Sequence, residues 1–98
     1  MPRYVQLIEY TAEGIDRFEE IPDLTDQARE LADSLGGELV DFYLTLGQYD
    51  AVAVVDAPDD ETMVAGTVTM AKTGTIKTET LRAFEQDEIE SIVDAVEA

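Results

Sequence analysis

The stretch Leu46-Gly47-Gln48-Tyr49-Asp50 places a phenol beside a carboxylate at the predicted tip of a β-hairpin. It separates two apolar runs, Leu39 to Leu46 and Ala51 to Val55, and Gly47 supplies the backbone freedom that a tight turn needs. A phenol next to a carboxylate is suited to moving a proton or to holding a polar small molecule. The same carboxylate could instead cap the amides of the turn, because an aspartate in that place usually bonds to the backbone.

The chain has no cysteine and no histidine, which narrows the chemistry available to it. Disulfides, thiolate nucleophiles, imidazole bases and zinc-thiolate or histidine-haem sites are excluded within these residues. A general base would be a carboxylate, a tyrosine, a water, Lys72 or Lys77. The acids of Asp59-Asp60-Glu61 lack the alternating spacing of a calcium loop and favour helix capping. We therefore expect no metal and no cofactor.

The composition sets 23 acidic against 6 basic residues, a formal net charge of -17. We exclude nucleic acid and anionic membranes as partners, because both are bound through basic groups. The acids could form an interaction surface or could be an adaptation to high salt, in which their mutual repulsion is screened. We favour salt adaptation and a halophilic source, because the acids are spread along the chain. With no apolar run of about 20 residues and no signal pattern at residues 1–4, we expect a cytoplasmic protein.

The apolar periodicity predicts a single α+β domain over residues 1–98, in the order βαββαβ with an added C-terminal helix. Alternating apolar residues predict strands at 3–11 and 39–46, and a nearly continuous apolar run predicts a strand at 51–55. A fourth strand is expected at 75–84, and 13–16 is expected to be a loop. Apolar stripes of period 3.6 predict helices at 22–35 and from about 85 onwards, and Pro58 with the three acids after it predicts a helix at 58–72. The last helix could clamp a second subunit or cover its own sheet, and the sequence does not decide between them.

In this ferredoxin-like order the antiparallel strands lie 4-1-3-2, which predicts two clusters of polar residues. Tyr10, Tyr49 and Asp50, with Lys77, should gather at one edge of the sheet. The opposite edge should bring together Tyr4, Asp56 and Arg82. Each cluster combines a phenol, a carboxylate and a cation, which suits the binding of a polar small molecule.

Six motifs along the chain resemble the GYD-domain family of small bacterial and archaeal proteins. They are Pro2-Arg3-Tyr4-Val5, Leu35-Gly36-Gly37, Phe42-Tyr43, Gly47-Gln48-Tyr49-Asp50, Asp56-Ala57-Pro58-Asp59-Asp60-Glu61 and Thr80-Leu81-Arg82-Ala83-Phe84. Gln48 stands between the glycine and the tyrosine, so the literal tripeptide is absent. The resemblance implies a dimeric α+β barrel with no established activity, in which the sheets of two subunits face each other. Related barrels, including cofactor-free monooxygenases and isomerases, hold small molecules between the sheets.

We predict a ligand pocket formed by Tyr10, Tyr43, Tyr49, Asp50 and Arg82. For Tyr43 we favour packing at a dimer seam over lining the pocket, and Arg82 could pair with Asp56 or with a carboxylate of another subunit. The favoured function is a homo-oligomeric module that binds a small ligand or serves as a scaffold. The alternative is a cofactor-independent monooxygenase or isomerase in which Tyr49 and Asp50 handle protons and Arg82 orients an anionic substrate. Whether the chain is an enzyme is left open.

Overall fold

The chain folds into a four-stranded antiparallel sheet with its main helices on one face, as the computed structural model of residues 1–98 describes it. The strands lie in the order β2-β3-β1-β4, which confirms the predicted α+β, ferredoxin-like fold. In chain order the elements are β1 (Arg3–Tyr10), α1 (Ala12–Asp16), a 3-10 turn (Phe18–Glu20), α2 (Ile21–Ser34), β2 (Glu38–Leu44), β3 (Ala51–Asp56), α3 (Asp60–Ala71), β4 (Ile76–Ala83) and α4 (Gln86–Glu97).

The central strand β1 sends its alternate side chains to two different environments. Tyr4 and Ile8 point to the face covered by α2 and α3, where they are buried. Val5 and Leu7 point to the opposite face, which no helix covers, and stay partly exposed. The main core consists of buried Ile8 and its neighbours Leu39, Ala51 and Ala53. It therefore lies between the sheet and the helices.

Local signals start and stop α2 and α3 close to the predicted positions. Proline in the first turn starts α2, and Gly36, with φ of 80°, follows its end as a left-handed cap. The carboxylate of Asp59 caps α3, because its Oδ1 accepts a hydrogen bond of 2.8 Å from the Thr62 amide. The capping role predicted for the acids at this helix start is confirmed.

Residues 13–16 form part of α1, so the predicted loop is wrong at this point. The hydroxyl oxygen of Thr11 caps α1 by accepting a 3.1 Å hydrogen bond from the Gly14 amide. Gly14 is buried against Thr75, the residue before β4, so close that a Cβ on it would clash with the carbonyl oxygen of Thr75. A five-residue helix that contains glycine shows no apolar period. Contacts distant in sequence hold it in place, and local patterning does not reveal them.

The hairpin between β2 and β3 has a longer loop than predicted, because β2 ends at Leu44. The loop is closed by the Thr45 amide, which donates a 2.9 Å hydrogen bond to the carbonyl of Asp50. Gly47 has φ of 105° at the tip, so its predicted role in the turn is confirmed. A register shift between Leu39 and Asp41 leaves Val40 as a bulge in β2.

The C-terminal helix α4 stands away from the rest of the molecule. It makes no extended contact with any other element, and none of its residues is buried. The Cα radius of gyration is 14.8 Å, against about 13 Å for a compact domain of this length, and the molecule measures 52 × 31 × 17 Å. The helix therefore does not cover its own sheet, which was one of the two roles considered for it. None of the helices is both long and apolar enough to span a bilayer.

The packing of Gly14 predicts that Gly14→Ala lowers the free energy of unfolding by about 2 kcal/mol, because the backbone of Thr75 must shift to admit a methyl group. Gly66→Ala is the matched control. Its new Cβ meets only the flexible end of Leu35 at 3.3 Å, and alanine favours the helix interior by up to about 1 kcal/mol. Urea unfolding followed by circular dichroism measures both. Equal losses in the two variants would contradict this account of α1.

Candidate functional site

Arg3 joins three elements at one end of the sheet. Its Nε and Nη2 donate to the two carboxylate oxygens of Asp56 at 2.8 and 3.1 Å, and its Nη1 lies 2.9 Å from Oε1 of Glu85. Arg3 and Asp56 are directly opposed on β1 and β3, so the strand register itself makes this fork. Asp56 was predicted to gather with Tyr4 and Arg82, and was one of the two ion-pair partners considered for Arg82. Pairing β1 with β3 residue by residue in antiparallel register would have placed Arg3 opposite Asp56.

Tyr4 and Arg82 are neighbours, as predicted, but neither contacts Asp56. The Tyr4 hydroxyl donates a 2.5 Å hydrogen bond to Asp60 at the start of α3, and burial together with this bond raises the pKa of Tyr4 to about 12. The Arg82 guanidinium lies 5.8 Å from the centre of the Tyr4 ring and 4.6 Å from that of Phe84. Its Nη2 pairs with Glu88 at 3.2 Å. The ion pair considered for Arg82 was with Asp56 or with another subunit, whereas in the structure Arg82 pairs with Glu88 of its own chain.

Asp50 is bonded to the neighbouring strand. Its Oδ2 accepts a 2.9 Å hydrogen bond from the backbone amide of Tyr10, and its own amide donates to the carbonyl of Ile8 at 2.8 Å. The loop is thereby tied to the end of β1, and the carboxylate satisfies a backbone donor there. The Tyr10 phenol lies nearby on the helix-covered face, where burial and the charge of Asp50 raise its pKa.

Tyr49 lies on the other face of the sheet and reaches across β1. Its hydroxyl donates a 2.6 Å hydrogen bond to Glu79 on β4, and this bond is the main reason that its pKa is raised. Glu9 and Lys77 line the same shallow groove. Tyr49 lies with Lys77, as predicted. Glu79, the one acid on β4, was missed because the prediction took only the start of the fourth strand to lie beside Tyr49.

The five predicted pocket residues therefore do not converge on one cavity within the single chain. Tyr10 lines the space between sheet and helices, whereas Tyr49 lies on the opposite face and Asp50 bonds at the strand end. Tyr43 is 57% exposed on the uncovered face. Arg82 sits at the far end of β4. The structure brings together Tyr10 with Asp50, and Tyr49 with Lys77.

A mostly apolar cavity of about 110 Å³ lies between the sheet, α2 and α3. Of its 26 lining residues 16 are hydrophobic, and Leu24, Ala28 and Met70 contribute from the two helices. The polar groups on the sheet side include Gln6, whose Nε2 donates to the hydroxyls of Thr67 at 2.8 Å and Thr80 at 3.3 Å. The cavity that the family resemblance implied lies on the other face of the sheet, between two subunits. The cavity under the helices was not predicted.

The uncovered face of the sheet has an apolar centre between two polar ends. Cross-strand rows put together the side chains of Tyr43, Val52 and Leu7, and those of Val54, Val5 and Leu81. The Arg3–Asp56 pair closes one end of this patch, and the groove of Tyr49 closes the other. We call these six residues the open-face patch. An apolar centre with a charged rim is typical of a protein interface.

A second apolar surface runs along α4. Ile89, Ile92, Val93 and Val96 are between 44% and 79% exposed, and their spacing of i, i+3, i+4 and i+7 puts them on one side of the helix. We call these four residues the α4 stripe. The helix is anchored only at its base, where Glu85 pairs with Arg3 and Glu88 pairs with Arg82.

The closest group of carboxylates is Glu85, Asp87 and Glu88, at the start of α4. Each already has a role there: Glu85 binds Arg3, Asp87 accepts from the Glu88 amide, and Glu88 accepts from the Glu85 amide. This trio caps the helix and anchors it to the sheet, so we assign it no metal.

The fork between Arg3 and Asp56 predicts a pH-dependent loss of stability in Asp56→Asn. The Arg3 guanidinium holds the pKa of the Asp56 carboxyl below its ordinary value of 3.8. A lowered folded-state pKa means that the stabilisation is complete above the unfolded value and disappears as the pH falls through the folded one. Thermal melts should therefore show a lower midpoint for the variant at pH 7, with the difference closing as the pH falls below 3.8.

Asp94→Asn on α4 is the control, since Asp94 is exposed and forms no hydrogen bond or salt bridge. It should leave the midpoint close to that of the parent throughout. A deficit of Asp56→Asn that stays constant down to pH 2 would show that the loss is not due to the ionised pair.

Comparison with known proteins places this geometry in a family. The model of the GYD domain matches residues 4–93. A relative from Thermus thermophilus, named glutamine synthetase and cystathionine beta-lyase binding protein, is 33% identical over 85 residues, which are 86% of this chain and 90% of the relative. The crystal structure of TTHA0845 from Thermus thermophilus, 24% identical, has the same fold with a TM-score of 0.54. That alignment covers 87% of this chain and 95% of the other.

The family match spans nearly all of the ferredoxin-like unit and ends within α4. This match agrees with the strand order and with the relative that is 33% identical. The chain therefore belongs to the GYD domain family.

Proposed function

We propose that this protein is a self-associating scaffold that binds other proteins. The observation that carries the proposal is the pair of apolar surfaces, the open-face patch and the α4 stripe, that have no partner within the chain. Apolar surfaces of this kind, rimmed by charge, mark sites of protein association. The name of the Thermus thermophilus relative, a protein that binds two enzymes, supports the same reading.

The open-face patch fits a second copy of this chain. Its two rows of apolar side chains lie on one face of the sheet between charged ends, and the same patch on a second copy would bury them about a twofold axis. Facing sheets of two subunits would complete the dimeric α+β barrel that the family resemblance implies. The acids around this patch repel one another at low ionic strength, so association should strengthen with salt. We place the protein, on the same grounds, in the salt-rich cytoplasm of a halophile.

The α4 stripe fits an apolar groove on a different protein. A helix that presents anchors at i, i+3, i+4 and i+7 is the form in which amphipathic segments are bound in grooves. Outside the stripe α4 carries Asp87, Glu90, Asp94 and Glu97, which favours a groove with a basic rim. Its two-point anchorage at Arg3 and Arg82 leaves the rest of the helix accessible.

A binding role fits the charge states of the polar residues better than catalysis does. The carboxyl groups with shifted pKa values, Glu20, Asp56, Asp59 and Glu88, are all shifted downwards by hydrogen bonds. Asp50 satisfies a backbone amide, and the pKa of Tyr49 is raised. A general base that works near neutral pH needs a raised carboxyl pKa or a lowered amine pKa, which these groups do not provide.

The proposed dimer predicts that Val54→Glu, at the centre of the open-face patch, yields monomers. Light scattering after size exclusion in 2 M KCl should give twice the chain mass of 10.8 kDa for the parent and a single chain mass for the variant. Gln27→Glu, exposed on α2, introduces the same side chain away from the patch and should remain dimeric. A monomeric parent protein would overturn this part of the proposal.

The proposed scaffold role predicts that the chain binds glutamine synthetase or cystathionine beta-lyase of its own source organism. Ile92→Glu should abolish the binding measured by biolayer interferometry, because it puts a charge into the apolar contact. Ser91→Glu adds the same charge beside the stripe and should bind within about threefold of the parent. No binding by the parent to either enzyme, or full binding by Ile92→Glu, would contradict the proposal.

A further inference from the structure

The cavity between the sheet, α2 and α3 is a separate feature from the two surfaces on which the scaffold proposal rests. It lies on the opposite side of the sheet from the open-face patch, and its volume is about 110 Å³. This is smaller than the apolar cavities of roughly 150 Å³ that hold benzene, but the cavity is half open to solvent, so a ring can extend beyond it. The void owes its size to small side chains: Ala28 and Ala32 face it from α2, Gly66 from α3 and Ala53 from the sheet.

Two hydroxyl groups in the lining of this cavity have no hydrogen-bond partner in the chain. They belong to Tyr10 on β1 and Thr78 on β4. The one hydrogen bond between either residue and a side chain runs from the Tyr10 backbone amide to the Asp50 carboxylate, and it does not involve the hydroxyl groups. Tyr10 is directly opposite Ile76, and Thr78 is two residues along β4, so both lie on the same face as diagonal neighbours. Each can donate or accept one hydrogen bond.

Charge sets a further restriction on what the cavity can hold. Asp56 is the one charged residue in the lining, and its carboxylate is held by Arg3. No cation faces the cavity, and Asp50 lies next to Tyr10. An anion would therefore lose its hydration without gaining a counter-charge.

We propose that this cavity binds a small neutral molecule built on a single ring with one polar atom, the ring among the apolar side chains and the polar atom at Tyr10 and Thr78. The walls contributed by Leu24, Ile76 and Met70 suit a ring. This inference does not depend on the scaffold function, because none of the six residues of the open-face patch and none of the four of the α4 stripe lines the cavity.

The test uses p-cresol, toluene and benzoate as probes, titrated into the ¹⁵N-labelled full chain and followed by NMR. p-Cresol and toluene should bind saturably, with dissociation constants below about 1 mM, and should shift amides of α2, α3 and β4 around the cavity. Benzoate should not bind. Tyr10→Phe should weaken p-cresol roughly threefold to tenfold, the worth of one neutral hydrogen bond, and leave toluene unchanged.

Ala28→Leu fills the cavity and should abolish binding of both neutral probes. Ala65→Leu, on the exposed side of α3, is its control and should bind both as the parent does. If Ala28→Leu proves poorly folded, the Tyr10→Phe comparison of p-cresol with toluene decides alone. The proposal is overturned if neither neutral probe saturates, if benzoate binds as tightly as p-cresol, if filling the cavity changes nothing, or if Tyr10→Phe weakens the two neutral probes equally.

Discussion

The register of β1 between its two neighbours is the constraint on which the rest of the structure depends. Residues 3–8 of this strand are paired on both sides, with β3 and with β4, so a slip by one residue would exchange the two faces of the sheet. The observed register buries Tyr4 and Ile8 under the helices and leaves Val5 and Leu7 on the uncovered face. It also places Arg3 opposite Asp56, which makes the fork that holds the base of α4.

The sequence was informative wherever local patterning determines structure. Alternation located β1 and β2, a continuous apolar run located β3, and stripes of period 3.6 located α2 and α4. The acids at Asp59 gave the start of α3, because capping depends on neighbouring residues. Helix α1 could not be found in this way, since it depends on Gly14 packing against Thr75, 61 positions further along the chain. The end of β2 was misplaced because apolar Leu46 extends the pattern beyond the last paired residue.

The polar residues were harder to place because their partners are set by register and rotamer. Tyr10, Tyr49 and Asp50 are close in the sheet, yet alternation sends the two phenols to opposite faces. The two charged residues predicted for the pocket have structural contacts: Asp50 ties a loop to a strand, and Arg82 holds α4. The surfaces that remain available for function, the open-face patch and the α4 stripe, are largely apolar. Such surfaces are the exception in a chain with a net charge of -17.

The bulge at Val40 has a consequence for how the sheet can grow. Strands β2 and β4 are the two edges, and each exposes backbone groups that could recruit a further strand from another molecule. The bulge interrupts the ladder of β2 and increases its local twist, while β4 carries Lys77, Glu79 and Arg82 along its length. Both edges are therefore poor templates for strand addition. The molecule can meet others face to face without the risk of polymerising edge to edge.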